Sequence, residues 1–264
     1  MRNPQNILIT GASSGLGASL ALAYAEQGIS LFLTGRNEDR LADIAAACRL
    51  RGAYVEMFVI DVRNRQAMQD LIQETDSGKP LDLVIANAGV SEMFLQHKTE
   101  ASVTEVFSTN LDGVLNTVHP AMLLMKKRGK GQIAIISSLA SFKGLPSAPA
   151  YSASKAAVRF YGEALRGLLK SDGIGVTVVC PGFIKTPMTD VNDFPMPMII
   201  SAEKAALKIK KRLMRNPSRI AFPWPFYFLM NLIAFLPPGC TDRLLANLPK
   251  KGINTHQIPL KKIA

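Results

Sequence analysis

The sequence predicts an α/β chain: a doubly wound parallel sheet of about seven strands flanked by helices, with an apolar helical C-terminal extension. Three observations predict this. Short apolar runs alternate with longer amphipathic ones across the first 180 residues, the signature of repeated strand–helix units. The short runs are continuously apolar rather than alternating, which marks strands covered on both faces. The length of 264 residues suits one α/β domain and is short for two large ones.

The elements follow in order. Residues 6–10 (NILIT) and 29–34 (ISLFLT) are short, β-branched or bulky apolar runs and read as strands. Residues 14–27 and 38–50 carry helix periodicity and read as helices. Strands are expected at 54–60 and 81–86, separated by a helix near 66–75. A helix at 114–127 precedes a strand at 132–137 (QIAIIS). A long helix at 153–170 leads to a strand at 175–180, the last regular helix spans 202–214, and 218–222 forms a final short strand. We place the domain at 1–222, with a substrate loop at about 187–201, and the extension at 223–264.

Composition removes several classes. About half the residues are apolar, and the 19 Gly and 16 Pro are ordinary for this length, so neither disorder nor a collagen-like chain fits. Cys48, Cys180 and Cys240 are odd in number and widely spaced, and His97, His119 and His256 are scattered. No disulfide framework and no metal site is expected. The N-terminus turns straight into a strand with no apolar leader and small-residue cleavage site, so a cytoplasmic location is expected. Residues 1–200 hold 19 Lys/Arg against 18 Asp/Glu, whereas 201–264 hold 12 Lys/Arg against Glu203 and Asp242. A neutral body with a basic tail points to an anionic surface at one end. No nucleic-acid motif accompanies the charge, so nucleic acid is not expected as the partner.

Four motifs carry chemistry. Thr10 to Gly17 reads TGASSGLG between a strand and a helix. Gly11, Gly15 and Gly17 permit a tight turn and close approach to a pyrophosphate, and Ser13, Ser14 and Leu16 offer main-chain groups at the helix N-terminus. Alone, such a loop is also an ordinary strand-to-helix turn. Arg36 follows the second strand, with no acidic residue before Glu38. An acid there would hold ribose hydroxyls, whereas Arg36, assisted by Asn37, would pair with a 2′-phosphate; NADP(H) is therefore preferred and NAD(H) remains open. Asn87-Ala88-Gly89 ends the fourth strand, where small residues let a ligand pass. Tyr151 and Lys155 lie four apart, on one helix face. An ammonium beside a phenol stabilises the phenolate and brings its pKa down from about 10, producing a proton donor and acceptor usable near neutrality.

Taken together these motifs, in order and with their separations, closely resemble the short-chain dehydrogenase/reductase family over roughly residues 5 to 222. The resemblance implies a Rossmann-type fold and hydride transfer between a nicotinamide and a carbonyl or alcohol carbon. It implies that Ser138, thirteen residues before Tyr151, holds the substrate oxygen, with neighbouring Ser137 the alternative. Tyr151 would move the proton, and Lys155 would lower the Tyr151 pKa and bind the nicotinamide ribose. Asn110 would be the relay residue that holds a water near the lysine. Asp61, followed by Val62, would contact adenine, Pro181, Gly182 and Ile184 would bind the cofactor, and Thr186 in the same run would lie near the carboxamide. A small-molecule substrate and a homodimer or homotetramer are the family's expectation.

Two segments exceed the minimum pattern. Met188, Phe194, Met196 and Met198 make the substrate loop apolar and adaptable, equally suited to a lid that packs on its own core. Residues 220–236 form a 17-residue apolar run with Pro223 and Pro225 near its start, short of the ~20 residues that span a bilayer. Trp224, Tyr227 and flanking cations suit attachment to an anionic membrane surface through residues 223–248, and burial in an oligomer interface is the other reading. The expected function is reduction of an apolar ketone or aldehyde, or the reverse. The alternative is a non-catalytic cofactor-binding scaffold.

Overall fold

The computed structural model describes residues 3–91, 100–192, 194–237 and 239–241. Strands β1 (Asn6–Ile9), β2 (Ser30–Gly35), β3 (Tyr54–Val59), β4 (Leu83–Ala86), β5 (Gly131–Ile136), β6 (Ile174–Pro181) and β9 (Arg219–Phe222) form one seven-stranded sheet in the order β3-β2-β1-β4-β5-β6-β9. Every pairing is parallel. The chain winds outward one way from β1 to β3 and the other way from β4 to β9. This reversal opens a crevice at the carboxyl ends of β1 and β4.

Helices cover both faces, which explains the continuous apolar strands. Helices α1 (Gly15–Tyr24), α2 (Glu38–Leu50) and α8 (Ala202–Leu213) close one core over Ile7, Ile9, Leu31 and Leu33. Helices α3 (Arg65–Gly78), α5 (Gly113–Arg128) and α6 (Pro149–Leu168) close the other over Leu8, Val84, Ile133 and Val176. The minor pair β7 (Ile184–Lys185) and β8 (Ile200–Ser201) brackets the substrate loop, which carries the short helix α7 (Pro187–Asp190).

Several boundaries differ from the sequence expectation for local reasons. Helix α1 stops at Tyr24, because Ala25 turns extended and Gly28 adopts a φ of 85°. Strand β4 starts at Leu83 rather than 81: the Leu81 N–H is donated to the Asp76 carboxylate, 2.9 Å away, and not to a neighbouring strand. Helix α6 starts four residues before the expected 153, since Pro149 in its first turn presets the backbone. Ahead of the expected helix at 114 lie α4 (Glu100–Phe107) and a single π-helical turn, Ser108–Asp112.

In the C-terminal extension, α9 (Trp224–Phe235) packs Met230 against Leu139, Val178 and Cys180. Residues 238 and 242–248 of the proposed attachment segment lie outside the described residues. Among the described residues no helix is long and apolar enough to cross a membrane.

Candidate active site

A cleft of about 300 Å³ opens over the carboxyl ends of β1, β2, β4, β5 and β6. Its floor is the glycine loop. Gly11 and Gly15 have φ of 66° and 56°, in the left-handed region that other residues avoid. Gly17 has no room for a side chain: a Cβ there would stand 2.1 Å from the Gly11 carbonyl oxygen and 2.5 Å from the Asn87 amide nitrogen. That amide donates to the carbonyls of Thr10 (2.9 Å) and Gly11 (3.2 Å), while the main-chain N–H groups of Asn87 and Ala88 donate to Thr10 Oγ1. The Asn87–Gly89 turn thus staples β4 to the glycine loop. Gly17→Ala should lower stability by about 1–3 kcal/mol through this overlap and weaken dinucleotide binding. Chemical unfolding and cofactor fluorescence titration would read both, and an unchanged pair would show that the loop gives way freely.

Ser13, Ser14 and Leu16 line the same floor, and Pro181, Gly182, Ile184 and Thr186 line the wall beyond β6. Asp61 and Val62 line the far end. Burial works against the Asp61 charge, yet three hydrogen bonds from Arg63 Nε and Nη2 and the Arg63 charge outweigh it, so its carboxyl lies below the usual range. Arg36 lines the cleft, half-exposed, with Nη1 3.4 Å from Glu105 Oε1. Asn37 lines the cleft beside it, and its Oδ1 accepts the Arg40 N–H at 2.9 Å and caps α2. A second cation beyond β2 is Arg40, which the sequence reading missed. It sits one turn into a helix and resembles any surface arginine.

The reactive end is built on β5 and α6. Ser137 donates its hydroxyl to the Lys155 carbonyl oxygen at 2.7 Å and is thereby committed to the backbone. Ser138 Oγ accepts the Ala140 N–H at 3.1 Å and keeps its own proton to donate. Tyr151 and Lys155 are the third and seventh residues of α6, and both line the cleft with Ser138. Lys155 Nζ stands 5.7 Å from the centre of the Tyr151 ring and donates to the Ile136 carbonyl oxygen at 3.0 Å. Lys155 is only 3% exposed. Burial pulls its pKa down to about 8, with Cys180 acting weakly the other way.

Asn110 is the one predicted residue that does not line the cleft. The π-turn carries it into the interior, where its Oδ1 accepts the Val90 N–H at 2.7 Å and its amide donates to the Val90 carbonyl (2.8 Å) and Ser154 Oγ (3.0 Å). It stands behind Gly89, where a Cβ would come within 3.1 Å of both Asn110 Oδ1 and Lys155 Nζ. Among the described residues no cluster of His, Cys, Asp and Glu is arranged for a metal.

The cleft fits a dinucleotide. Its floor is bare backbone at a helix N-terminus, and two cations stand beyond β2. Two buried hydroxyls that line it, Thr34 Oγ1 and Thr109 Oγ1, have no hydrogen-bond partner among the described residues, and orphaned buried polar atoms of this kind call for a ligand or water. A nucleotide cradle at the switch point of a parallel sheet, ending at a phenol beside a buried ammonium, defines a nicotinamide-dependent oxidoreductase of CH–OH and C=O groups.

Comparison with known proteins agrees. The family model for short chain dehydrogenases matches residues 5–194. An uncharacterized oxidoreductase of Myxococcus xanthus is 35% identical over 237 residues, covering 89% of this chain and 94% of its own. Another from Mycobacterium tuberculosis is 37% identical over 246 residues, covering 90% and 96%. The crystal structure of a short chain dehydrogenase from Mycobacterium paratuberculosis bound to NAD superposes with a TM-score of 0.72 at 23% identity, over 82% of this chain and 95% of its own. The chain belongs to the short-chain dehydrogenase/reductase family, whose members bind NAD(P) and act on small molecules.

Proposed function

We propose that the protein is an NADP(H)-dependent reductase of an apolar ketone or aldehyde, running in reverse as an alcohol dehydrogenase. The observation that carries the reading is the buried Lys155 ammonium beside the Tyr151 ring, in one cleft with Ser138. The bound nicotinamide would supply or accept the hydride. Ser138 donates a hydrogen bond to the substrate oxygen. Tyr151 gives its phenolic proton to that oxygen as negative charge develops there, and Lys155 stabilises the phenolate left behind. Lys155 also holds the nicotinamide ribose. Asn110 acts from behind, fixing the main chain at Val90 and, through Ser154, the α6 turn that carries Tyr151; a relayed water near Lys155 belongs to the same reading.

Arg36 and Arg40 favour NADP(H), since two guanidinium groups face the cleft beyond β2 and can bind a 2′-phosphate. Glu105 competes for Arg36. Glu105→Gln should therefore tighten NADPH about two- to fivefold, the value of one exposed ion pair, and leave NADH unchanged. Titration of both cofactors checks this, and equal tightening of NADH would remove Arg36 from the 2′-phosphate site. The apolar loop at 187–201 and residues 223–248 complete the reading: a hydrophobic substrate, a cytoplasmic enzyme at the periphery of an anionic membrane, and a homodimer or homotetramer. NADPH consumption with ketones and aldehydes of graded chain length tests the reaction. Turnover that needs NADPH and rises with chain length supports it; absence of binding of either cofactor overturns it.

A further inference from the structure

We infer that α9 is a docking surface for an anionic lipid bilayer, and that docking sets the mouth of the active-site cleft against the membrane. The inference rests on the proposed reductase activity only for what passes through that mouth. Helix α9 reads WPFYFLMNLIAF and contains no charged residue. Its inner side belongs to the protein. A Cβ on Gly182, which lines the cleft, would stand 3.0 Å from Pro223 Cδ and 3.3 Å from Phe226 Cδ1. Phe226 stacks on Phe183 with ring centres 6.0 Å apart, and Phe183 meets Phe194 of the substrate loop at 6.1 Å. The first turn of α9 is thus an apolar wall beside the cleft.

Among the described residues the outer side of α9 has no partner. Trp224, Phe228, Leu232 and Phe235 fall at helical spacing on one stripe and are 73%, 65%, 55% and 86% exposed. The polar groups of the helix are used elsewhere: the Asn231 amide donates to the Tyr227 carbonyl, and the Tyr227 hydroxyl accepts from Arg219. An exposed apolar stripe of this kind marks an interaction surface.

Charge selects the occupant. Lys143 Nζ donates to the Leu236 carbonyl just past the end of α9, and Lys208 lies over the Phe222 ring just before its start. Helix α9 itself carries no acid, so these two cations set the sign of charge at its two ends. A second copy meeting α9 face to face would bring Lys143 and Lys208 toward their own counterparts. An anionic bilayer complements both lysines, and a Trp-bearing apolar stripe between cations suits the headgroup boundary.

Trp224 is the only tryptophan of the chain, so its emission reports on this face alone. The full chain would be mixed with vesicles of phosphatidylcholine, or of phosphatidylcholine with phosphatidylglycerol. The expected result is a blue-shifted Trp224 emission, quenching by brominated lipid, and flotation with the anionic vesicles, all weakened by salt. The double variant Phe228→Glu/Phe235→Glu keeps the tryptophan and should lose at least about a hundredfold in partitioning, because each buried phenyl contributes roughly tenfold or more. It should retain turnover of a short water-soluble carbonyl. Wild-type protein that stays at the bottom of the gradient with both vesicles overturns the inference. So does sedimentation showing a lipid-free dimer, with Trp224 shielded from iodide, that the double variant splits. Wild-type protein that floats yet reduces no carbonyl supports the docking surface and rejects the reductase reading instead.

Discussion

Tyr151→Phe is expected to lower kcat by about a hundred- to ten-thousandfold, the usual contribution of a positioned general acid. The change removes one oxygen. Tyr151 sits within α6, after the Pro149 that starts the helix, so the ring and the helix remain. Dinucleotide binding should persist, because the glycine loop, the Asn87 staple and the two arginines are untouched. Single-turnover NADPH oxidation together with a cofactor titration separates the cases. Loss of turnover with retained binding assigns the proton to Tyr151. A variant that turns over like wild type would rule out Tyr151 as the acid, whereas a non-catalytic scaffold would bind cofactor and show no turnover in either protein.

Lys155→Met should change how stability depends on pH in the cofactor-free protein. Burial lowers the Lys155 pKa from 10.5 to about 8. Between those values the unfolded chain holds a proton that the folded chain has lost, so wild-type stability gains with rising pH in that window. Below pH 8 both states are protonated and the full penalty of burying the ammonium is present. Methionine does not titrate. The stability of wild type relative to Lys155→Met should therefore rise by about 3 kcal/mol between pH 8 and pH 10.5. Burial also raises the thiols of Cys48 and Cys180 to about 11 and the Tyr24 phenol above its ordinary value. Cys48 and Tyr24 destabilise both proteins alike as pH rises, so the comparison must be the difference; Cys180, which interacts with Lys155, acts within that difference. Guanidinium unfolding across this range is the measurement. Parallel curves for the two proteins would mean that Lys155 is solvated and not held in the dry site described above.

Both predictions concern residues that the sequence marks plainly. A Tyr and a Lys four apart after a strand and a Ser pair, in a chain with a glycine-rich first turn, are local patterns, and the parallel sheet brings the ends of β1, β4, β5 and β6 together. The glycine loop, Asn87–Gly89, Ser138, Tyr151, Lys155 and Thr186 accordingly line one cleft. Asn110 was named from its motif, but its position behind the cleft depends on the π-turn at Ser108–Asp112, which hydrophobic periodicity does not reveal. Asn37 carries a second role that the sequence did not single out. Its Oδ1 caps α2 by accepting the Arg40 N–H, a contact set by the helix start and not by the strand before it.

By itself, the sequence determined the layered α/β fold, because continuous apolar strands need a helix on each face, and it determined the dinucleotide cradle, because glycines at those positions leave the backbone bare. It also determined the basic, apolar character of the C-terminal region. The tertiary structure alone decided three things. Glu105 faces Arg36 from 69 residues away. Lys155 is enclosed deeply enough for burial to govern its charge. Helix α9 turns Phe226 toward Phe183 at the cleft and Trp224, Phe228 and Phe235 outward. Each depends on contacts between segments far apart in the chain. Such contacts follow from the order in which strands join the sheet, and local periodicity carries no record of them.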